Sequence, residues 1–173
     1  MLPTKMLPMF DCQTGMESKL SKQCLKKLNQ GASLNLDFGN QNLYRKVVSQ
    51  GDLQCMEMLI MRGIDMKGFL TIACNESKDD IAKLLLDNHA DVEDCCDMLW
   101  QQTPLMISAT KCDVKIVNLL LERKANPAIT TQFGLNALHY LRRQTEFSPY
   151  DVRYDICQRL LEKAMTMTDK QNG

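Results

Sequence analysis

The chain has 173 residues, of which 45% are hydrophobic and 24% are charged, and its 21 basic side chains are matched by 21 acidic ones. Leu, Ile, Val and Phe make up about a quarter of the chain, which is enough for the ordered core of about one domain. Because the formal net charge is zero, we expect neither nucleic acid nor an anionic membrane surface as a partner.

Residues 1–15 are predicted to form a flexible N-terminus. The opening segment MLPTKMLPMF is interrupted by Pro3, Lys5 and Pro8, so it lacks the apolar stretch of a secretory signal. The longest strictly apolar run, Met58 to Met61, is far shorter than the roughly 20 residues of a membrane-spanning helix. We therefore expect a cytoplasmic or nuclear protein whose eight cysteines are reduced thiols.

One segment then recurs along the chain. In each copy, an apolar cluster is followed by a polar turn and a small apolar residue. The copies are CLKKLNQGAS (24–33), EMLIMRGIDM (57–66), KLLLDNHADV (83–92) and NLLLERKANP (118–127). The small apolar residues lie 32, 26 and 35 positions apart, at Ala32, Ile64, Ala90 and Ala125. The spacing predicts a half-repeat at 16–35, four repeats at about 40–66, 67–93, 100–127 and 133–165, and a frayed tail at 166–173.

An earlier helix is predicted in each full repeat. TPLMISA (103–109) places Thr103 as the N-cap and Pro104 at the first helical position, where its missing N–H costs nothing. FGLNALH (133–139) is a weaker copy with Asn136 as the cap and His139 in the first turn. Equivalent positions on the two helices are 14 residues apart in three repeats, at Tyr44 and Met58, Leu70 and Leu84, and Leu105 and Leu119.

These motifs, and a period near 33 residues, resemble the ankyrin-repeat family over residues 40–165. The resemblance implies an all-α ankyrin-repeat solenoid of stacked helix-turn-helix units with short β-turn fingers. The turn after each second helix needs a residue at positive φ, supplied by Gly63 in one repeat but by His89 and Lys124 in later ones. Only Asp65 to Gly68 lies where the first finger belongs, so that finger is predicted to be missing.

No catalytic chemistry is predicted. The sequence contains no nucleophile elbow, phosphate loop, His-Glu-x-x-His or dinucleotide fingerprint, so we expect no enzyme, no cofactor and no metal. His139 occupies the family's histidine position, which joins helix starts, and His89 fills a turn. Cys95 and Cys96 are interpreted as surface thiols. A cysteine-based redox or metal-responsive protein remains the alternative from a different class.

The segment from Asp87 to Asp97 contains five acidic residues and no basic one. It lacks the alternating ligands, sharp-turn glycine and distal glutamate of a calcium loop. We interpret it as a solvated acidic finger that attracts a basic partner.

The function that the resemblance implies is a protein–protein interaction module, acting without catalysis as an inhibitor or an adaptor and monomeric when free. The specific alternatives are inhibition of a Rel-type transcription factor or of a cyclin-dependent kinase. Leu99, Trp100 and Phe133 are the strongest candidates, because large apolar groups at exposed finger tips cost solubility unless a partner covers them, and tryptophan is enriched where binding energy concentrates. The family layout implies partner-facing finger tips and first-helix ends on the concave face: Leu99, Trp100, Gln102, Phe133, Leu135, Asn75, Glu76, Thr110, Lys111, Arg143 and Gln144.

Overall fold

The computed structural model describes residues 41–95, 101–143 and 151–171, together with the helical, exposed Lys22 and Lys26. The predicted N-terminus at 1–15 and most of the half-repeat at 16–35 lie outside these residues. The described part is helical and contains no strand. The helices within residues 41–95, 101–143 and 151–171 are α1 (Gln41–Gln50), α2 (Leu53–Met61), α3 (Phe69–Asn75), α4 (Asp79–Asp87), α5 (Pro104–Thr110), α6 (Val114–Glu122), α7 (Ala137–Arg142) and α8 (Val152–Gln171).

The helices form two layers. Helices α1, α3, α5 and α7 pack side by side in that order as an inner layer, and α2, α4, α6 and α8 do the same as an outer layer. Each inner helix also packs against the outer helix that follows it. The core runs continuously between the layers, with side chains such as Phe69, Leu85, Leu105 and Leu120 fully buried. This stack of helix pairs confirms the predicted all-α solenoid.

The inner helices begin as their sequences predict. Thr103 Oγ1 accepts the backbone N–H of Met106 at 3.3 Å, and Pro104 occupies the first turn of α5. At the start of α7, Asn136 and His139 form a capping box in which each side chain accepts the other residue's backbone N–H. His139 thus stabilises the start of its own helix.

The turns repeat with the predicted register. After the outer helices, Gly63, His89 and Lys124 have φ values of 78°, 67° and 66°. A second series, between the helices of each pair, places Gly51, Ser77 and Cys112 at φ values of 69°, 51° and 50°. Non-glycine residues are strained in this left-handed region, so the repeat geometry overrides the local preference of four residues.

The connections between repeats differ in length. A short linker (residues 62–68) joins α2 to α3, whereas finger A (residues 88–103) joins α4 to α5 and finger B (residues 123–136) joins α6 to α7. The linker is too short for a full finger, which agrees with the predicted missing one. It ends in Gly68, an N-cap at φ 80° with no side chain to accept a hydrogen bond from α3.

The C-terminal part of the described chain is the long helix α8. It continues to Gln171, through the residues from 166 onward that were expected to form a frayed tail, and the hydroxyl groups of Thr166 and Thr168 donate to the backbone carbonyls of Lys163 and Ala164. Val152 and Ile156 of this helix are 69% and 40% exposed. No helix of the described chain is long and apolar enough to cross a membrane.

Candidate partner-binding surface

Finger B presents an aromatic side chain at a defined tip. The backbone N–H of Gly134 donates to Thr131 O at 2.9 Å, and that of Thr131 donates to Leu135 O at 3.0 Å. Gly134 closes the turn at φ 73°, a conformation that glycine adopts without strain. Phe133 lies at this tip and is 62% exposed, whereas Leu135 packs half-buried against the core. The structure therefore places Phe133, but not Leu135, fully at the surface.

Finger A ends in the same local geometry. Gln101 is left-handed at φ 58° and lies two residues before the N-cap Thr103, as Gly134 lies two residues before the N-cap Asn136. Trp100 thus occupies the sequence position equivalent to Phe133. The side chains of Leu99 and Trp100 lie outside the described residues, and Gln102 is half-buried.

The C-terminal ends of the inner helices form a row along one side of the stack. Helices α3, α5 and α7 are successive neighbours, so their last residues lie in register. Asn75, Glu76 and Thr110 are half-buried, and Lys111 and Arg143 are exposed. Thr110 is already engaged, since its hydroxyl donates to Met106 O at 2.9 Å. Gln144 lies outside the described residues.

Asp94 is a structural residue that the sequence analysis assigned to a solvated finger. Its carboxylate accepts a short, buried hydrogen bond from the backbone N–H of Gly68, and its carbonyl accepts one from Thr71 Oγ1 at 2.7 Å. Only 9% of the residue is exposed. Asp94 therefore caps α3 from the next connection along the chain, which replaces the side chain that Gly68 lacks. The interpretation of a solvated finger is wrong for this residue.

The adjacent Glu93 contacts the other neighbour of finger A, which is finger B. Its Oε1 accepts the backbone N–H of Asn126 in finger B at 2.5 Å, while its Oε2 is buried without a hydrogen-bond partner. Two adjacent carboxylates of finger A thus hold the start of α3 on one side and finger B on the other. Burial raises the pKa of both carboxyl groups, although the N–H of Asn126 and that of Gly68 each oppose the shift.

The sequence carried a signal for this arrangement. The missing finger and the glycine at position 68 together leave the start of α3 without a capping side chain, so an acceptor from elsewhere was required. The acidic composition of residues 87–97 was visible, but composition does not tell which carboxylates turn inward. The inward direction of Asp94 and Glu93 is set by their contacts with Gly68 and Asn126, which are 26 and 33 residues away in the sequence.

The buried thiols among the described residues are poorly suited to nucleophilic or metal chemistry. Cys55, Cys74, Cys112 and Cys157 are buried and none forms a disulfide. Burial raises the pKa of Cys74 and that of Cys157 to about 12, which disfavours the thiolate that a nucleophile or a metal ligand requires. Within the described ranges no group of three His, Cys, Asp or Glu side chains could hold a metal ion.

Comparisons with known proteins agree with this architecture. The family model for ankyrin repeats (3 copies) matches residues 70–172, which is more than half of the chain. A search of curated proteins found no match. The matched region contains α3 to α8 with both fingers, so it includes the candidate surface. The chain belongs to the ankyrin-repeat family.

Proposed function

We propose that this array binds another protein through the face formed by its finger tips and inner-helix ends, and that it acts without catalysis. Ankyrin repeats are in general protein–protein interaction modules. The observation that carries the proposal is the exposure of Phe133 on a hydrogen-bonded turn. A large aromatic side chain held away from the core on a hydrogen-bonded turn is a suitable anchor for a partner, because binding removes it from water.

The remaining proposed contacts are the finger residues Leu99, Trp100, Gln102 and Leu135 and the inner-helix ends Asn75, Glu76, Thr110, Lys111, Arg143 and Gln144. Hydrogen bonds support the described part of this face, because the carboxylates of Asp94 and Glu93 join finger A to the short linker and to finger B. A preorganised surface loses little conformational entropy on binding. The array is monomeric when free and acts in the cytoplasm or nucleus.

The proposed role is that of an inhibitor which covers a functional surface of its partner, with an adaptor as the alternative. An adaptor must hold a second protein at the same time, whereas an inhibitor needs one face only. Rel-type transcription factors and cyclin-dependent kinases are the partner classes that the family resemblance implies. Titration of purified members of each class, with DNA binding or kinase activity as the readout, tests both.

Site-specific crosslinking tests the binding face. A photoreactive phenylalanine analogue is placed at Phe133 on finger B, or at Met61 on the outer helix α2, which is 60% exposed and serves as the matched control. In extracts, we expect a protein adduct from position 133 and none from position 61. Adducts from position 61 alone would place the binding site on the outer layer and refute the proposal.

A further inference from the structure

The inner-helix ends change charge along the stack. Counting from the left-handed residues Ser77 and Cys112, the C-cap residue Glu76 after α3 is equivalent to the C-cap residue Lys111 after α5. In the neighbouring column, Asn75 is equivalent to Thr110 and, counted from the N-caps Thr103 and Asn136, to Arg143. The first column thus changes from the acid Glu76 to the cation Lys111, with the neutral Gln144 at the equivalent sequence position after α7, and the second column ends in the cation Arg143.

The fingers also differ in charge. Asp91 on finger A is an exposed acid, whereas the short linker carries the exposed cations Arg62 and Lys67 beside Asp65. The segment of finger B from Asn126 to Asn136 contains no charged residue, and it exposes Ala128, Gln132 and Phe133. Finger B thus places no acid of its own beside Phe133, although Glu93 of finger A contacts the finger at Asn126.

The two cations on the row are available for a partner. Lys111 and Arg143 are exposed, and neither forms an ion pair with another described residue. Cations at helix C-termini also stabilise the helix through its dipole, so their presence alone does not require a ligand. The feature that favours a ligand is that Lys111 and Arg143 lie on the same half of the array as finger B, which carries an uncharged, aromatic tip.

We propose that the surface formed by Lys111, Arg143 and Phe133, here called the basic half-face, binds an acidic segment of the partner protein that carries an apolar anchor residue. This inference rests on the proposed function and specifies the chemistry of its partner. Carboxylates of the segment pair with Lys111 and Arg143, and its apolar residue packs on Phe133. Because Glu76 and Asp91 occupy the other half, electrostatic complementarity also fixes the direction in which the segment lies along the array.

Two synthetic peptides test the proposal with the full-length protein. They have equal length and the same leucine positions, and carry glutamate or lysine at all other positions. Fluorescence anisotropy should show at least about fivefold tighter binding of the acidic peptide, and the preference should weaken as salt rises. Equal binding, no binding of either peptide, or a preference for the basic peptide would overturn the proposal.

Charge-reversed variants locate the binding site. Lys111→Glu and Arg143→Glu should each weaken acidic-peptide binding about fivefold, and Glu76→Lys should tighten it. Lys83→Glu is the matched control, because Lys83 is an exposed lysine of the outer helix α4. Equal weakening by Lys83→Glu would show nonspecific attraction and overturn the assignment. A single-stranded oligonucleotide that displaces the peptide from the natural protein, but not from the Lys111→Glu and Arg143→Glu variants, would also overturn the assignment.

The captured partner separates this inference from the proposed function. If Phe133→Ala weakens partner binding while both charge reversals leave it unchanged, the binding face stands and the acidic-segment assignment fails. If none of the three changes matters, the proposed function itself fails.

Discussion

Asp94 and Gly68, which are 26 residues apart in the sequence, are joined by a buried hydrogen bond from the glycine N–H to the aspartate carboxylate. The bond lies where the repeat array lacks a finger. It lets the short linker begin α3 without a capping side chain of its own, so finger A substitutes for the missing element.

Substitutions at Asp94 should separate the hydrogen bond from the charge. Asp94→Ala removes the acceptor and leaves the N–H of Gly68 buried without a partner, which should cost about 1–2 kcal/mol of unfolding free energy. Asp94→Asn keeps an acceptor oxygen but removes a desolvated charge, so at neutral pH it should be as stable as the natural protein or more stable. Urea unfolding monitored by circular dichroism measures both. Equal destabilisation by Ala and Asn would contradict this account.

The same pair predicts a pH dependence. The folded-state pKa of Asp94 is raised above its ordinary value of 3.8, chiefly by burial, so the folded state binds the proton more tightly than the unfolded chain does. The contribution of this group to stability is therefore greatest below pH 3.8 and is lost as pH rises through the folded pKa. The stability advantage of Asp94→Asn over the natural protein should accordingly shrink on acidification. If the advantage of Asp94→Asn grew on acidification, the pKa shift of Asp94 would have the opposite sign, and its assignment as a carboxyl group with a raised pKa would be rejected.

Left-handed turns predict stabilising substitutions. His89→Gly and Lys124→Gly should each raise the unfolding free energy by up to about 1 kcal/mol, because a side chain is strained at their φ values of 67° and 66°. Gly63→Ala is the reciprocal control at φ 78°, and it should be destabilising although no atom lies within 4 Å of the added Cβ. Thermal unfolding measures all three. Destabilisation by both glycine substitutions would contradict the strain argument.

Local sequence signals predicted much of this fold. Caps such as Thr103 and Asn136 act within three residues, and the glycine or substitute after each outer helix follows from the repeat register. The roles of Glu93 and Asp94 could not be predicted in this way, because they depend on contacts with other repeats. Exposure at the tips was predicted from the family layout. That layout does not reveal that Leu135 is half-buried, because the position of this side chain is set by its packing against the core.

Thiol reactivity tests the alternative redox role. At mildly alkaline pH, a thiol with a pKa of about 12 is ionised about a thousandfold less than an ordinary cysteine, so Cys74 and Cys157 should react slowly with iodoacetamide in the folded protein. The half-exposed Cys95 should react faster. Mass spectrometry of time-resolved labelling, with unfolded protein as the control, gives the rates. Rapid labelling of Cys74 and Cys157 in the native state would favour a redox-active protein.

Binding of a protein partner at the finger tips is best tested by measuring the affinity of the captured partner for paired alanine variants. Phe133→Ala, and Trp100→Ala at the equivalent position of finger A, should each weaken binding about thirtyfold, the equivalent of about 2 kcal/mol at an interface anchor. Met61→Ala, at an outer-layer residue with 60% exposure, should leave the affinity unchanged, and all three variants should unfold near the natural temperature. If Phe133→Ala and Trp100→Ala bind as well as the natural protein while Met61→Ala does not, the binding surface lies on the outer layer and the account is wrong.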